Sequence, residues 1–239
     1  MKLLRVFLIL TLLISCQENN KQNTYQVKYK GALKNIMHKG DLSAKATLKD
    51  FENTKHLYAL GAIENLKGEI QIFNSKSFNT SVIDNLLVFN NSFDKKATLF
   101  VYASVSKWKT ILIPETIITY EQLEIFIAKT ASKNKINIKE PFPFLIEGTP
   151  KLFDWHVINW KDGDTEHSHE KHVNSGLHGT KKGLKVEMLG FYSDSHHAIF
   201  THHTTNMHIH VKTVNGKLAG HVDGLTLGKR MVLKLPEVE

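Results

Sequence analysis

MHIHVKTVNGKLAGHV, residues 207–222, has the alternation and the central turn of a β-hairpin. Its first half places His208 and His210 on one face of a predicted strand, because side chains two residues apart in a strand point the same way. Asn215-Gly216 is a favoured hairpin turn, and the returning strand brings His221 back opposite the pair. Three imidazoles on two neighbouring strands predict a site for zinc, or another divalent first-row metal, with room for water or substrate.

The bulk composition indicates a folded domain of ordinary size rather than a disordered or nucleic-acid-binding chain. The chain has 239 residues, of which 41% are hydrophobic, enough for a core. Its net charge of +8 comes mostly from lysine, and the only arginines are Arg5 and Arg230. Because nucleic-acid readers depend on arginine for bidentate contacts, we expect a solvated basic surface and no nucleic-acid partner.

The N-terminus has the organisation of a secretion signal. A cationic start precedes an apolar run over residues 6–14, which is too short for a membrane-spanning helix. The run ends in Leu13-Ile14-Ser15-Cys16, which resembles a bacterial lipobox, so Cys16 is predicted to carry lipid. The alternative is an ordinary secreted protein with an incidental cysteine. We predict a lipoprotein signal peptide over 1–16, a polar tether over 17–24 and a lipid-anchored location in the bacterial cell envelope.

The rest of the chain, residues 25–239, is predicted to form one strand-rich α+β domain. Short helices are expected at 31–39 and 47–51, and a longer one after the capping-box pattern Thr119-Tyr120-Glu121-Gln122. Most other segments alternate as strands, and in the strand over 69–73 the side chains of residues 69 and 71 share one face.

Several segments, taken in chain order, resemble the acetolactate decarboxylase family. The most specific is His-X-His followed after nine residues by Gly-His, and together the segments extend over nearly all of the mature chain. They are Gly40-Asp41, Leu66-Lys67-Gly68-Glu69, Lys133-Asn134, Phe144-Leu145-Ile146-Glu147-Gly148-Thr149, Gly190-Phe191, His208-Ile209-His210 and Gly220-His221.

The resemblance implies a zinc-dependent lyase that converts 2-acetolactate to acetoin and CO2, so the expected partner is a small hydroxy-keto acid. It implies His208, His210 and His221 as metal ligands and Glu69 as the active-site glutamate near the metal. It further implies two mixed β-sheet or barrel-like subdomains with a few short helices, over about residues 25–140 and 141–239, and a homodimer.

The chain departs from the family pattern in its expected substrate-handling residues. His156 stands where the family carries an arginine that faces the metal, and Ala62 stands where the family carries a threonine. The family also supplies an acidic residue from beyond the metal hairpin, for which Glu237 and Glu239 are the candidates here.

Decarboxylation of a β-keto acid leaves negative charge on carbon and oxygen, which a metal chelated by the substrate oxygens stabilises as a Lewis acid. Glu69 is the candidate general acid that protonates the carbon, or an additional metal ligand. His156 is the candidate that orients the substrate carboxylate, and it carries the required charge only when protonated.

Each candidate also has a purely structural interpretation. His208, His210 and His156 are then surface histidines on strands, and Glu69 is a solvent-facing strand residue. Two alternative functions remain open, namely a metal-binding envelope lipoprotein that has lost decarboxylation and a lyase for another hydroxy-keto acid.

Further histidines surround these candidates in the sequence. A group in the polar segment 162–178 is expected to lie in a solvated loop, able to hold only adventitious metal. Another group precedes the metal hairpin, and some of its members are expected at the rim of the cleft. The groups are His167, His169, His172 and His178, and then His196, His197, His202 and His203.

Overall fold

The structure is a computed structural model that describes residues 25–238. It confirms the strand-rich α+β class, with two eight-stranded sheets and few helices in this part of the chain. None of the described helices is long and apolar enough to span a membrane. The predicted signal peptide, the lipidated Cys16 and the tether over 17–24 lie outside the described residues.

The helices of the described part are short, apart from one of 14 residues. They are α1 (Leu33–Lys39), α2 (Tyr120–Lys133) and α3 (His169–Asn174), with 3-10 turns at Leu48–Phe51 and Glu64–Leu66. The expected capping box is present at the start of α2, where Thr119 accepts from the Gln122 backbone and Gln122 accepts from the Thr119 backbone. Helix α1 ends at Gly40 in the left-handed conformation, as its sequence predicts.

The first sheet contains the strands up to residue 104. They are β1 (Lys28–Lys30), β2 (Ala46–Thr47), β3 (Leu57–Ile63), β4 (Glu69–Phe73), β5 (Lys76–Ser77), β6 (Asn79–Ile83), β7 (Leu86–Asn90) and β8 (Lys96–Ser104). Their spatial order is β1-β8-β3-β4-β6-β7, with β2 beside β8 and β5 beside β4.

The second sheet contains the remaining strands. They are β9 (Trp108–Leu112), β10 (Phe142–Gly148), β11 (Leu152–Val157), β12 (Leu177–Lys182), β13 (Val186–Tyr192), β14 (Met207–Thr213), β15 (Ala219–Thr226) and β16 (Val232–Pro236). Their order is β12-β11-β15-β14-β13-β10-β16-β9, so the change of sheet comes before β9. The subdomain boundary near residue 140 stays a prediction.

Every pairing between these strands is antiparallel, whereas we expected mixed sheets. The reason is largely local, since many neighbours in the sheets follow each other directly in the chain. Short turns such as those between β6 and β7 or between β14 and β15 permit only antiparallel pairing, because a parallel pair needs a long crossover.

Alternation along β4 decides which of its side chains face the second sheet. Ile70 and Ile72 belong to a small apolar cluster that also contains residues of β3 and β8. Glu69 and Gln71 therefore point the other way, as predicted, toward β15, which packs against β4. The main core contains residues of both sheets, so these buried polar side chains sit where the two halves share one interior.

Candidate metal centre

The hairpin of β14 and β15 brings the three predicted imidazoles together. His210 pairs directly with His221 across the two strands. The ring centroid of His208 lies 5.0 Å from that of His210 and 5.1 Å from that of His221, and the centroids of His210 and His221 are 5.5 Å apart. The reading of His208 and His210 as exposed strand residues is wrong, since both are buried.

The two buried rings of β14 have the separation that a shared metal requires. His208 Nε2 and His210 Nε2 lie 3.2 Å apart. Two nitrogens bound tetrahedrally to zinc, with bonds of about 2.0–2.1 Å, are about 3.3 Å apart. Burial lowers the pKa of each imidazole well below the usual value for histidine. The neutral form, which is able to act as a metal ligand, is therefore favoured.

Gln71 fixes the tautomer of His210. The Gln71 amide nitrogen donates to the Phe78 carbonyl and to Thr80 Oγ1, so its oxygen faces His210 Nδ1 at 3.0 Å. His210 Nδ1 must then carry the proton, and its Nε2 presents a lone pair to His208 Nε2. Either a proton or a metal ion must lie between these two nitrogens, so this pair of histidines is placed to share a metal ion.

Glu69 is a buried carboxyl beside these rings, and its reading as a solvent-facing residue is wrong. One oxygen accepts from the Ile158 N–H at 3.2 Å, and that oxygen lies 3.8 Å from His156 Nε2. The other oxygen lies 3.8 Å from His210 Nε2. Burial raises the pKa of Glu69 to about 8, against the opposing effects of His221 and the Ile158 N–H. In the metal-free protein, burial therefore favours the neutral acid form of Glu69.

His156 is buried on β11, directly opposite His221 on β15, so its reading as a surface residue is wrong. Its Nδ1 lies 2.8 Å from a carboxylate oxygen of Asp223, and His221 Nδ1 lies 3.1 Å from the other. The ligand atoms of His156, His221 and Asp223 all lie within 4.8 Å of one another, and such a group is able to hold a metal ion. His221 thus adjoins two sets of ligands.

The charges within this group follow from its hydrogen bonds. Burial alone favours a neutral Asp223, but the bonds from His156 and His221 outweigh it and lower the pKa of the carboxyl. Burial likewise lowers the pKa of His221, but Asp223 and Glu69 outweigh it, so the net shift is upward. For His156 burial prevails over Asp223 and the pKa is lowered. The hydrogen bonds therefore favour the ionised form of Asp223, whereas burial favours the neutral form of His156.

Asp223 is the member of this group that sequence reasoning missed. Its only sequence signal is the position two residues after His221, which predicts one shared strand face. The register between β11 and β15 shifts at this point, since Asp154 pairs with Gly224 and Trp155 with Val222. Asp223 is left unpaired in the resulting bulge, which directs its side chain toward both histidines.

The candidate residues open into a cavity of about 880 Å³. Its wall includes Glu69, His156, His208, His221 and Asp223, while His210 lies behind them. Helices α1 and α2 contribute apolar side chains to the wall, among them Leu33, Ile36, Met37 and Ile125. Glu237 is not one of its wall residues, and Glu239 lies outside the described part of the chain.

The histidine-rich segment 162–178 is more ordered than the expected solvated loop. Ser168 caps α3, and His167 stacks on Trp160 with ring centroids 4.5 Å apart. His167 Nδ1 also lies 2.9 Å from His172 Nε2. The aromatic surface of Trp160, which sequence periodicity does not reveal, holds these rings in place. Of the group expected at the rim, His202 and His203 lie in the cavity wall. His169 and His172, which were expected in a solvated loop, also lie there.

Comparison with known proteins identifies the fold. No family model and no curated protein matches the sequence. Among solved structures, α-acetolactate decarboxylase from Bacillus subtilis strain 168 matches with a TM-score of 0.68 at 13% identity, over 89% of this chain and 86% of that one. Acetolactate decarboxylase from B. subtilis subspecies spizizenii matches with a TM-score of 0.69 at 13% identity, over 90% and 87%.

A third solved structure shows the same similarity. It is a protein of unknown function similar to α-acetolactate decarboxylase from Staphylococcus aureus, with a TM-score of 0.68 at 15% identity, over 89% and 86% of the two chains. The described chain therefore has the fold of the acetolactate decarboxylases, with a possible metal site between its two sheets.

Proposed function

We propose that this protein is a metal-dependent carboxy-lyase that converts 2-acetolactate to acetoin and CO2. The observation that carries the proposal is the buried Glu69 carboxyl, which has one oxygen 3.8 Å from His210 Nε2, a nitrogen of the His208/His210 pair. The shared fold supports the same conclusion.

The metal in this proposal is zinc or another divalent first-row ion, held by His208, His210 and His221. When bound, it supplies Lewis acidity that stabilises the negative charge left on the substrate oxygens as CO2 departs. Neutral nitrogen ligands suit this task, because they leave more of the positive charge of the ion unneutralised than carboxylates do.

Glu69 holds and delivers the proton. The bond from substrate carbon to carboxylate breaks, CO2 leaves, and the electron pair remains as an enediolate. The oxygen of Glu69 that accepts from Ile158 is already engaged, so the proton resides on the other oxygen, which faces His210. From there Glu69 protonates the carbon that lost CO2 and is then reprotonated from solvent.

The apolar wall from α1 and α2 gives the methyl groups of the substrate a dry surface. Leu33, Ile36 and Met37 lie on this side of the cavity. Water that reaches the reacting carbon would compete with Glu69 as proton source, so this wall favours controlled protonation.

A second candidate function is a metal-binding protein on the same fold without decarboxylation. It is favoured by the ionised Asp223, 2.8 Å from His156, which puts negative charge beside the space that an anionic substrate must enter. A lyase for a different hydroxy-keto acid is the third candidate, with His156 shaping its pocket.

Acetoin formation from racemic acetolactate separates these candidates. The zinc-loaded wild type is expected to form acetoin, whereas the metal-stripped protein, His208→Ala and Glu69→Gln are not. Glu115→Gln, at an exposed glutamate paired with Lys229, is the matched control for the last variant. Zinc binding without acetoin at any pH would refute the decarboxylase, and a screen of keto acids for CO2 release would then test the third candidate.

We propose further that Cys16 is lipidated and anchors the protein in the bacterial cell envelope, and that the protein is a homodimer. Labelling of cells with palmitate is expected to mark the wild type and spare Cys16→Ser. Sedimentation is expected to give the mass of a dimer, and a single monomeric species at micromolar concentration would refute the dimer.

A further inference from the structure

We infer that the centre has two adjoining metal positions, the second formed by His156, His221 and Asp223, and that the ion in this position binds the carboxylate of the substrate. The inference rests on the proposed function, since it assigns how that site binds its anionic substrate. The first position keeps the His208/His210 pair.

The ligand atoms of the second position are already assembled. Asp223 has one oxygen 2.8 Å from His156 Nδ1 and the other 3.1 Å from His221 Nδ1. Neighbouring ligands of a six-coordinate ion with bonds of about 2.1 Å are about 3 Å apart. An ion bound here would therefore take the place of the two protons that the imidazoles now direct at Asp223.

His221 lies between the two positions. Its ring is 4.8 Å from that of His156, and 5.1 Å and 5.5 Å from those of His208 and His210. With one ion bound, His221 completes the first position, and with two ions it belongs to the second. The first position then retains two imidazoles and has coordination sites open for substrate oxygens.

The charged residues of the cavity wall leave a place for a second cation. Among the wall residues that the structure describes, the four carboxyl-bearing residues are Glu69, Glu121, Glu124 and Asp223, and the one lysine or arginine is Lys34, which is exposed. Acetolactate is an anion, and a cation beside the Asp223 carboxyl would attract it. An ion bound to Asp223 supplies that cation and offers the substrate carboxylate an open coordination site.

Metal stoichiometry tests the inference without any turnover. Metal-stripped full-length protein is titrated with Mn2+, and bound metal is counted after gel filtration. The wild type is expected to bind two equivalents and to give an exchange-coupled EPR spectrum. Asp223→Asn is expected to bind one equivalent of Mn2+ without exchange coupling. His210→Ala is also expected to bind one equivalent, and the double variant His210→Ala/Asp223→Asn is expected to bind none.

Control variants exclude the histidines at the rim. His202→Ala and His169→Ala are expected to leave two coupled equivalents. Among the described residues, neither ring makes a ring contact or a hydrogen bond with Asp223 or His156. The inference is overturned if the second equivalent of Mn2+ is lost in His202→Ala or His169→Ala but retained in Asp223→Asn. It is also overturned if the wild type binds one equivalent only.

The role in carboxylate binding is tested with 2-hydroxy-2-methylpropanoate, which carries the hydroxyl and carboxylate groups but has no ketone and cannot lose CO2 by this route. Calorimetry is expected to show at least tenfold tighter binding with two equivalents of Mn2+ than with one, and no such gain in Asp223→Asn. Equal affinities for the hydroxy acid with one and with two equivalents of Mn2+ would overturn the role of the second ion in carboxylate binding. If the second ion tightens binding but the protein forms no acetoin, only the proposed decarboxylase activity is refuted.

Discussion

The buried Glu69 predicts a specific dependence of stability on pH. In the metal-free protein the pKa of this carboxyl rises from 4.5 to about 8, chiefly because burial disfavours the charged form. The folded state therefore holds this proton more tightly than the unfolded chain. The resulting stabilisation is fully present below about pH 4.5 and is lost as the pH rises through about 8.

The magnitude follows from the shift. Each pKa unit corresponds to about 1.4 kcal/mol, so between about pH 5 and about pH 9 the free energy of unfolding falls by about 4 kcal/mol from this group alone. Glu69→Gln keeps the shape of the neutral acid and has no proton to lose. The wild type is therefore expected to lose about 4 kcal/mol relative to this variant over the same range.

Urea unfolding of the metal-stripped proteins at the two pH values measures this difference. Titrating groups that do not interact with Glu69 cancel in the comparison, and Glu115→Gln, at an exposed glutamate, controls for the loss of one carboxylate at the surface. A difference between wild type and Glu69→Gln that changes by less than about 1 kcal/mol over the range would refute a neutral buried Glu69, and with it the proton donor of the proposed mechanism.

Three further predictions concern the supports of the centre and of the fold. Gln71→Leu removes the acceptor of His210 Nδ1 and should weaken zinc binding about 10- to 100-fold in competition with a chromophoric chelator; unchanged affinity contradicts the tautomer assignment. Thr119→Ala removes the capping box of α2 and should lower stability by about 1 kcal/mol in urea, with no change in metal affinity. Gly190→Ala places a methyl carbon 2.1 Å from the buried Phe144 ring and should lower stability by about 1–3 kcal/mol, and a neutral effect would show that the ring is free to move.

The part of the centre that the sequence predicts is the part that depends on local rules. His208 and His210 follow from the two-residue period of a strand, and His221 follows from the Asn215-Gly216 turn. Glu69 and Gln71 share a face for the same reason, and their burial beside β15 then places both near the ligands.

The remainder depends on contacts between distant parts of the chain. Gln71 reaches His210 across 139 positions, and Asp223 reaches His156 across 67. The bulge that aims Asp223 arises from the register of β11 against β15, and the period-2 pattern of either strand alone contains no sign of it. The order of segment 162–178 likewise depends on Trp160, a residue that no motif singled out.

The family resemblance implies an arginine at the position of His156, and this departure has to be considered together with Asp223. A lone neutral His156 at this position would leave an anionic substrate without a partner, and the ionised Asp223 by itself would make binding worse. Together with His221, however, the two form a chelating set whose charge is set by whether an ion is bound. On this argument His156→Ala and Asp223→Asn should weaken binding of the hydroxy acid to a similar degree, because each removes the same ion. The double variant should bind little more weakly than either single variant. Additive losses would mean that the two side chains act on the substrate separately and that no ion joins them.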